Sequence, residues 1–314
     1  MRVAVVDIGT NSTRLLVVEV EPGGPVHELD RRSTVTRLGE GVDGTGRLGD
    51  EPMARVLRAL DAYRAAIDEH GAQATTAVLT SAVRDAANGG QFTEAVRERY
   101  GLEARTISGE EEAALTFAGA TAQRARDGTE LVVFDVGGGS TELVTGRDGR
   151  LGPHVSVPAG VVRQSERHLR ADPPRPDELA ALVAEARGIL EAALPADVRE
   201  RVGAGVAVGG TATSAARIEL AAREGTPPQR THGHAVRAEV LDDLLARVAA
   251  LTNEQRRALP GLHPDRAPTI VAGIAILREC LRAFALPAVE VSEQDILLGA
   301  ALARAASVAG RSSG

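Results

Sequence analysis

The chain has 314 residues, of which 43% are hydrophobic and 25% charged, and its formal net charge is −7. This length and composition are typical of a globular protein with room for two domains, and they exclude a disordered chain. The negative charge argues against a nucleic-acid-binding protein, and no apolar segment approaches the roughly 20 residues of a membrane span.

All 36 basic residues are arginines, because the sequence contains no lysine. A lysine-dependent phosphate loop and Schiff-base chemistry are therefore excluded, and anions must be bound by backbone amides, a metal or Arg side chains. The single Cys280 excludes an internal disulfide. With no N-terminal signal pattern, these features lead us to expect a cytoplasmic protein.

The first half of the chain predicts an alternating α/β pattern that opens with three strands. A Pro-Gly-Gly-Pro turn at 22–25 separates the second strand from the third, and a Gly-rich loop covers 39–49. Strands are predicted at 2–8, 14–20, 26–32, 75–80 and 104–107, and helices at 51–69, 91–100 and 109–125.

The second half repeats this order and adds helices. Strands are predicted at 131–136, 141–146, 150–157, 203–208 and 288–292, and helices at 159–170, 176–194, 211–223, 238–251, 253–259, 268–284 and 294–309. We place one domain at 1–125 and a second at 126–314, with Arg124–Thr129 as the predicted hinge. The last helix is a candidate to pack back on the first domain.

Two stretches of the chain, 3–17 (VAVVDIGTNSTRLLV) and 131–145 (LVVFDVGGGSTELVT), share one pattern. Superposing Asp7 on Asp135 also aligns the glycines and hydroxyl residues of the two turns. Turn amides beside an acid suit a phosphate and its divalent cation, and a repeat of this length predicts two similar halves facing each other across a phosphate site. The alternative is that each Asp only organises its own turn.

The turn of the second copy consists of Gly137, Gly138, Gly139 and Ser140. Such a turn leaves the backbone free to wrap around an anion. Asp135 and Glu142 flank it, and their oxygens suit Mg²⁺ in the presence of phosphates. A plain hairpin turn is the alternative, although that needs fewer glycines.

The acidic run that follows Ser108 has an ordinary explanation in part. Ser108 and Glu111 form a capping box, and acids in a first helical turn suit the helix dipole, which accounts for Glu110 and Glu111. Glu112 lies beyond the cap. It is either one more acid of that turn or a catalytic group at the phosphate site.

Further candidate ligands follow predicted strands. Arg84 follows an apolar strand, where open α/β sheets place ligands, but a solvated Arg is an equal interpretation. Gly209 and Gly210 join a strand to a helix, which predicts either an anion or nucleotide contact or close strand–helix packing. For His232 and His234, without further His or Cys nearby, we favour structural or substrate contacts over a metal site.

Seven segments, in order along nearly the whole chain, resemble the exopolyphosphatase / guanosine pentaphosphate phosphohydrolase (Ppx/GppA) family. They are VVDIGTNSTRLLVVEV, TSAVRDAAN, ISGEEEAALTFAGA, VFDVGGGSTEL, PAGVVRQSER, VAVGGTATS and VEVSEQDILLGAALA. The resemblance implies an α/β fold of two actin-like (ribonuclease H-like, sugar kinase–Hsp70–actin superfamily) domains with a cleft between them.

The resemblance also implies roles for individual residues. Glu112 would be the general base, and Asp135 and Glu142 would organise Mg²⁺ and the attacking water, with Mn²⁺ as a possible substitute. From the repeated pattern we add Asp7 as a metal ligand. The implied phosphate-binding residues are Asn11, Ser12, Arg84, Gly137, Gly138, Gly139 and Ser140. From the turn that joins a strand to a helix we add Gly209 and Gly210. Arg14 stands where many relatives have His, and is expected to clamp phosphate or to point to solvent.

The expected function is therefore a Mg²⁺-dependent exopolyphosphatase that acts on inorganic polyphosphate. Longer relatives carry additional C-terminal helical domains, which leads us to expect a preference for short chains. The alternatives are removal of the 5′-phosphate of pppGpp, or a regulator that binds polyphosphate or a nucleotide without turnover. By analogy with the superfamily we also expect a homodimer.

Overall fold

The structure is a computed structural model that describes residues 1–21 and 25–312. The turn predicted at 22–25 lies outside the described residues, apart from Pro25. No helix in the described ranges is both long enough and apolar enough to cross a bilayer.

The first sheet has five strands in the order β3-β2-β1-β4-β5. Its strands are β1 (Arg2–Ile8), β2 (Ser12–Val20), β3 (Val26–Val35), β4 (Ala74–Leu79) and β5 (Ala104–Thr106). The accompanying helices are α1 (Val42–Thr45), α2 (Asp50–Glu69), α3 (Ser81–Asp85), α4 (Gly89–Tyr100) and α5 (Gly109–Thr121). β1 pairs antiparallel with β2 and parallel with β4, which gives the mixed sheet of an α/β fold.

The second sheet has six strands in the order β10-β11-β9-β6-β7-β8. Its strands are β6 (Glu130–Val136), β7 (Thr141–Arg147), β8 (Arg150–Val157), β9 (Ala204–Val208), β10 (Ala235–Arg237) and β11 (Ala288–Val291). The helices are α6 (Val161–His168), α7 (Pro176–Ala193), α8 (Ala196–Glu200), α9 (Gly209–Glu224), α10 (Ala238–Ala249), α11 (Asn253–Arg257), α12 (Ile270–Ala283) and α13 (Ile296–Ser312).

The chain divides into two compact units. Unit 1 comprises Met1–Gly119 and Ile296–Gly314, and unit 2 comprises Ala120–Asp295. The division therefore falls after residue 119 rather than after the predicted 125. α13 groups with unit 1, since its buried residues join one apolar cluster with Val3, Val5 and Leu16 of the first sheet.

Both faces of the first sheet are covered, which explains the continuous apolar sequence of β1. Ala4, Val6 and Ile8 pack in one cluster with residues of α2 and α4, whereas Val3 and Val5 pack on the other face with α13. A strand buried on both faces has no polar alternation.

The core of unit 2 centres on α12, which packs against α6, α7, α9 and α10. Cys280 on this helix is fully buried in this core. Burial raises the pKa of the Cys280 thiol. The helix predicted at 268–284 begins two residues later than expected, at Ile270.

Candidate functional site

The duplicated turn has the same geometry in both units, which confirms the predicted repeat. The Gly9 amide donates to the Ser12 carbonyl at 3.0 Å, and the Gly137 amide donates to the Ser140 carbonyl at 3.0 Å. A Cβ atom added to either glycine would lie 3.1 Å from that same carbonyl oxygen. The close approach explains why glycine occupies this position in both copies.

In unit 2 the carbonyl groups of the glycine turn point into α6. The carbonyls of Gly137, Gly138 and Gly139 accept hydrogen bonds of 2.8 to 3.0 Å from the amides of Val161 and Val162 and the Arg163 side chain. Because the C=O and N–H of one peptide plane point in opposite directions, the following amides face away from α6. Within the described residues, the amides of Gly138 to Ser140 donate to no protein acceptor. They form a suitable anion site.

The turn of unit 1 is held in a comparable way by the segment after β3. The Asn11 carbonyl accepts from the amides of Thr36 and Arg37, at 3.0 and 2.9 Å, and the Thr10 carbonyl accepts from Gly39 at 2.8 Å. Asn11 is buried, and its Oδ1 atom has no partner among the described residues. A buried polar atom of this kind suits a bound water, ion or ligand.

Two carboxylates stand opposite each other at the end of the β6–β7 hairpin. Asp135 and Glu142 are direct cross-strand partners, and Glu142 is only 1% exposed. The Glu142 Oε1 atom accepts from the hydroxyls of Ser140 at 2.8 Å and Ser156 at 2.7 Å. Like charges at directly opposed positions are unfavourable, so this arrangement favours a bound cation.

The same register position in unit 1 carries opposite charges. Asp7 faces Arg14, whose Nε and Nη2 atoms donate to Asp7 Oδ2 at 2.9 and 2.6 Å. The Arg14 side chain is 17% exposed, so the expectation that it points to solvent is wrong. Of the three predicted metal ligands, Asp7 therefore faces an arginine, whereas Asp135 and Glu142 face each other.

The donor set fits magnesium only in combination with a substrate. Among the described residues there is no group of three or more His, Cys, Asp or Glu side chains that would hold a metal. Mg²⁺ in phosphate-processing sites commonly takes one or two carboxylates and completes its coordination with water and substrate oxygens. Asp135 and Glu142 supply that number of carboxylates.

Arg84 and Glu112, predicted separately, are in direct contact in unit 1. Arg84 Nη1 donates to Glu112 Oε2 and to the Ile107 carbonyl, both at 3.0 Å. Glu112 is 8% exposed and lies in the first turn of α5. The interpretation of Arg84 as a solvated side chain is therefore wrong.

Glu110 and Glu111, the two acids that precede Glu112 in α5, have different environments from Glu112. The Glu111 amide donates to Ser108 Oγ at 3.1 Å, as the cap predicts, and the Glu111 carboxylate pairs with Arg105. Glu110 is exposed. Glu112 is therefore the buried acid of this run.

The start of α9 lies against Asp135. A Cβ atom on Gly209 would lie 2.8 Å from Asp135 Oδ1, and Thr211 Oγ1 donates to the Val136 carbonyl at 3.1 Å. Val208 at the N-cap makes no side-chain cap, so the first amides of α9 remain suited to an anion.

Arg266 is a site residue that sequence reasoning missed. Its guanidinium occupies the space that a Cβ atom on Gly210 would need, directly over the start of α9. Arg266 lies in a short 3-10 turn (Pro264–Arg266), more than 50 residues along the chain from Gly210. No local pattern marks it. Only the paired glycines indicate that another group approaches closely.

The histidines make protein contacts, in line with the favoured interpretation. His234 Nε2 contacts Glu219 Oε2 at 2.9 Å, and His232 Nδ1 accepts from the Glu293 amide at 3.3 Å. Both pairs lie within unit 2.

Comparisons with known proteins show which family the chain is similar to. The profile of the Ppx/GppA phosphatase family matches residues 16–296. The chain is 36% identical to Exopolyphosphatase 2 of Mycobacterium tuberculosis, over 97% of this chain and 98% of that protein. Among solved structures, a Ppx/GppA family member of Aquifex aeolicus is 29% identical with a TM-score of 0.79, covering 98% of both chains. An exopolyphosphatase of Cytophaga hutchinsonii is 25% identical with a TM-score of 0.86, covering 95% of this chain and 96% of that one.

Proposed function

Because the chain belongs to the Ppx/GppA phosphatase family, we propose that it is an exopolyphosphatase, which releases the terminal phosphate of inorganic polyphosphate. Membership of the family makes the protein a phosphatase with the actin-like fold. The curated relative named an exopolyphosphatase, similar over nearly its whole length, supports the choice of substrate. The observation that carries the proposed mechanism is the direct contact between Arg84 and the buried Glu112.

Substrate binding is assigned to the glycine turn of unit 2, the start of α9 and Arg266. Amides that face away from α6 in the Gly137–Ser140 turn would bind the oxygens of the terminal phosphoryl group. The first amides of α9 and the Arg266 guanidinium lie next to Asp135 and Gly210, and would add positive charge there. This local charge offsets the net charge of −7, which by itself repels a polyanion.

Glu112 is assigned the role of general base. Arg84 donates to Glu112 Oε2 and so orients the carboxylate, to which we assign the attacking water. Glu112 would take a proton from that water as its oxygen attacks the terminal phosphorus in line. The phosphoanhydride bond breaks, phosphate is released, and the shortened chain leaves with the bridging oxygen.

Mg²⁺ is proposed as the cofactor at Asp135 and Glu142, with Mn²⁺ as a substitute. When bound, the ion would neutralise charge on the substrate oxygens. Without it, the protein holds two opposed acids where an anionic substrate must approach.

The proposal is tested by replacing the base. Glu112→Gln keeps the hydrogen bond to Arg84 but removes the basic oxygen, so phosphate release should fall by about 100-fold or more. Glu110→Gln, an exposed neighbour on the same helix, is the matched control and should keep wild-type turnover. Near-normal turnover in Glu112→Gln would remove this residue from the mechanism.

The substrate is tested by measuring phosphate release from short polyphosphate, long polyphosphate, pppGpp and ATP. Faster turnover of pppGpp would reassign the substrate while leaving the chemistry intact. No release from any of them would favour a regulator that only binds. The preference for short chains, the homodimer and the cytoplasmic location remain proposals, which the chain-length series, solution mass and cell fractionation respectively test.

A further inference from the structure

The C-terminal half of α6 is joined to α7 through a single carboxylate, that of Glu185. Its Oε1 atom accepts from Gln164 Nε2 at 3.2 Å, and its Oε2 atom contacts His168 Nε2 at 2.7 Å. Arg167 also donates to Oε1. Residues three and four positions apart share one face of a helix, which is why these three side chains of α6 can converge on Glu185.

The N-terminal end of the same helix holds the glycine turn. The amides of Val161 and Val162 donate to the carbonyls of Gly137 and Gly138, at 2.9 and 2.8 Å. α6 has only eight residues, and so short a helix is not stable by itself, so its position depends on tertiary contacts. The glycine turn and Glu185 therefore lie at the two ends of one connected set of contacts, all of them within unit 2.

Polar contacts fix the orientation of α6 more closely than its apolar contacts do. Val161 and Val162 join the apolar core of unit 2, and apolar packing is non-directional. Hydrogen bonds to a carboxylate depend on distance and angle and are stronger than those between neutral groups. Burial acts to raise the pKa of Glu185, but hydrogen bonds from Gln164 and His168 help to lower the pKa below its usual value, so the group is ionised at neutral pH.

The burial of Gln164 is a second argument for a positioning role. Its side chain is fully buried, and its Oε1 atom has no hydrogen-bond partner within the described part of the chain. An unpaired buried oxygen costs about 1–3 kcal/mol, so stability alone does not explain a glutamine here. Its bond to Glu185, which orients α6, does explain it.

We propose that Glu185 is a positioning residue of the phosphate site. Glu185 holds α6, and α6 holds the glycine turn so that its amides face the terminal phosphoryl group of the substrate. This inference rests on the proposed function and adds to it a residue of α7 that acts through α6. Displacement of a binding group by about 1 Å can lower a reaction rate by about 100-fold, so a small shift of α6 is sufficient.

The deciding variant is Glu185→Leu, which removes every acceptor of the carboxylate and keeps a side chain of similar size. The kcat/KM for polyphosphate should fall roughly tenfold or more, because complete loss of one oxyanion donor costs about 100-fold. Glu185→Gln keeps one acceptor oxygen and nearly the same shape, so it should give an intermediate value. It also serves as the test if Glu185→Leu does not fold.

Arg187→Gln is the matched control on the same helix. Arg187 donates to the buried Glu279 of α12 at 2.9 Å, so its loss weakens the contact of α7 with α12 and leaves α6 in place. The Tm should fall, whereas kcat/KM, measured at a temperature where all variants are folded, should stay close to the wild-type value. An equal loss of kcat/KM in Arg187→Gln and Glu185→Leu would overturn the proposal.

Amide hydrogen exchange makes the two proposals fail separately, because it requires no turnover. The amides of Val161 and Val162 should exchange faster in Glu185→Leu than in the wild type, and no faster in Arg187→Gln. If the wild type releases no phosphate, the proposed function fails, but this difference in exchange still supports Glu185 as the residue that holds α6. Unchanged exchange at both valines, or unchanged kcat/KM in an active enzyme, would overturn the inference.

Discussion

One pair of facing positions distinguishes the two copies of the repeat. In unit 1 an arginine faces the aspartate, and in unit 2 a glutamate does. Arg14 pairs with Asp7, whereas the residue facing Asp135 is a second acid. The two turns thus share one hydrogen bond but differ in the charge that faces the aspartate.

Glu142→Gln tests the proposal that Glu142 is a Mg²⁺ ligand. It removes one of two opposed charges but keeps an oxygen for Ser140 and Ser156, so stability should be unchanged or higher by about 0.2–1 kcal/mol. The Mg²⁺ concentration needed for half-maximal phosphate release should rise at least several-fold. Glu130→Gln, at the opposite end of β6, is the control. An unchanged Mg²⁺ requirement would exclude Glu142 as a ligand.

Among secondary-structure elements, the contact between the glycine turn and α6 determines which way the turn amides face. Gly160, before the first residue of α6, lies so close that a Cβ atom would overlap the Gly138 carbonyl and the following peptide. The turn and the helix therefore form one packed element.

Gly160→Ala should displace the turn and impair both folding and binding. We expect a loss of about 1–3 kcal/mol in the free energy of unfolding and a higher KM for polyphosphate. Gly188→Ala is a matched control, because it lies on the exposed face of α7 with no atom within 4 Å of the new methyl group. That variant should gain about 0.5–1 kcal/mol. Urea denaturation and steady-state kinetics measure both quantities.

Secondary-structure elements were predicted correctly where the element is long and its hydrophobic periodicity is clear. The two hairpins and helices such as α2, α7 and α12 were predicted within a few residues. Short elements were missed: α1, α3, α8 and β10 have three to five residues each, too few to show a period. The helix predicted to reach residue 125 ends at Thr121.

For the candidate site, the sequence identified residues beside the repeated turns but not those brought there by tertiary folding. Asp135 and Glu142 follow from local pattern, because a hairpin sets their register. The Arg84–Glu112 contact joins residues 28 positions apart, and Arg266 reaches Gly210 from a separate loop.

For the whole molecule, the main feature is that unit 1 is built from both ends of the chain. α13 supplies Ile296, Leu297 and Ala301 to the apolar cluster on one face of the first sheet. The α5 helix, which carries Glu112, also contacts α13, because a Cβ atom on Gly299 would overlap the Leu115 carbonyl. Unit 1, including the helix that carries the proposed general base Glu112, therefore depends on α13.

Ala301→Asp should destabilise unit 1 strongly, because Ala301 is fully buried and the new carboxylate would lose its hydration without a compensating charge or hydrogen bond. We expect a loss of about 3 kcal/mol or more, with loss of activity at moderate temperature. Ala303→Asp makes the same change at an exposed position of α13 and should cost little beyond helix propensity. Equal Tm values for the two variants would contradict the assigned role of α13.

The discontinuity of unit 1 also has a consequence for biosynthesis. On the ribosome, residues 120–295 emerge as one uninterrupted stretch and can fold while translation continues. The N-terminal sheet emerges earlier, yet the face formed by Val3, Val5 and Leu16 stays uncovered until α13 leaves the exit tunnel. The unit made first is thus completed last, and its nascent strands need protection from aggregation in the interval.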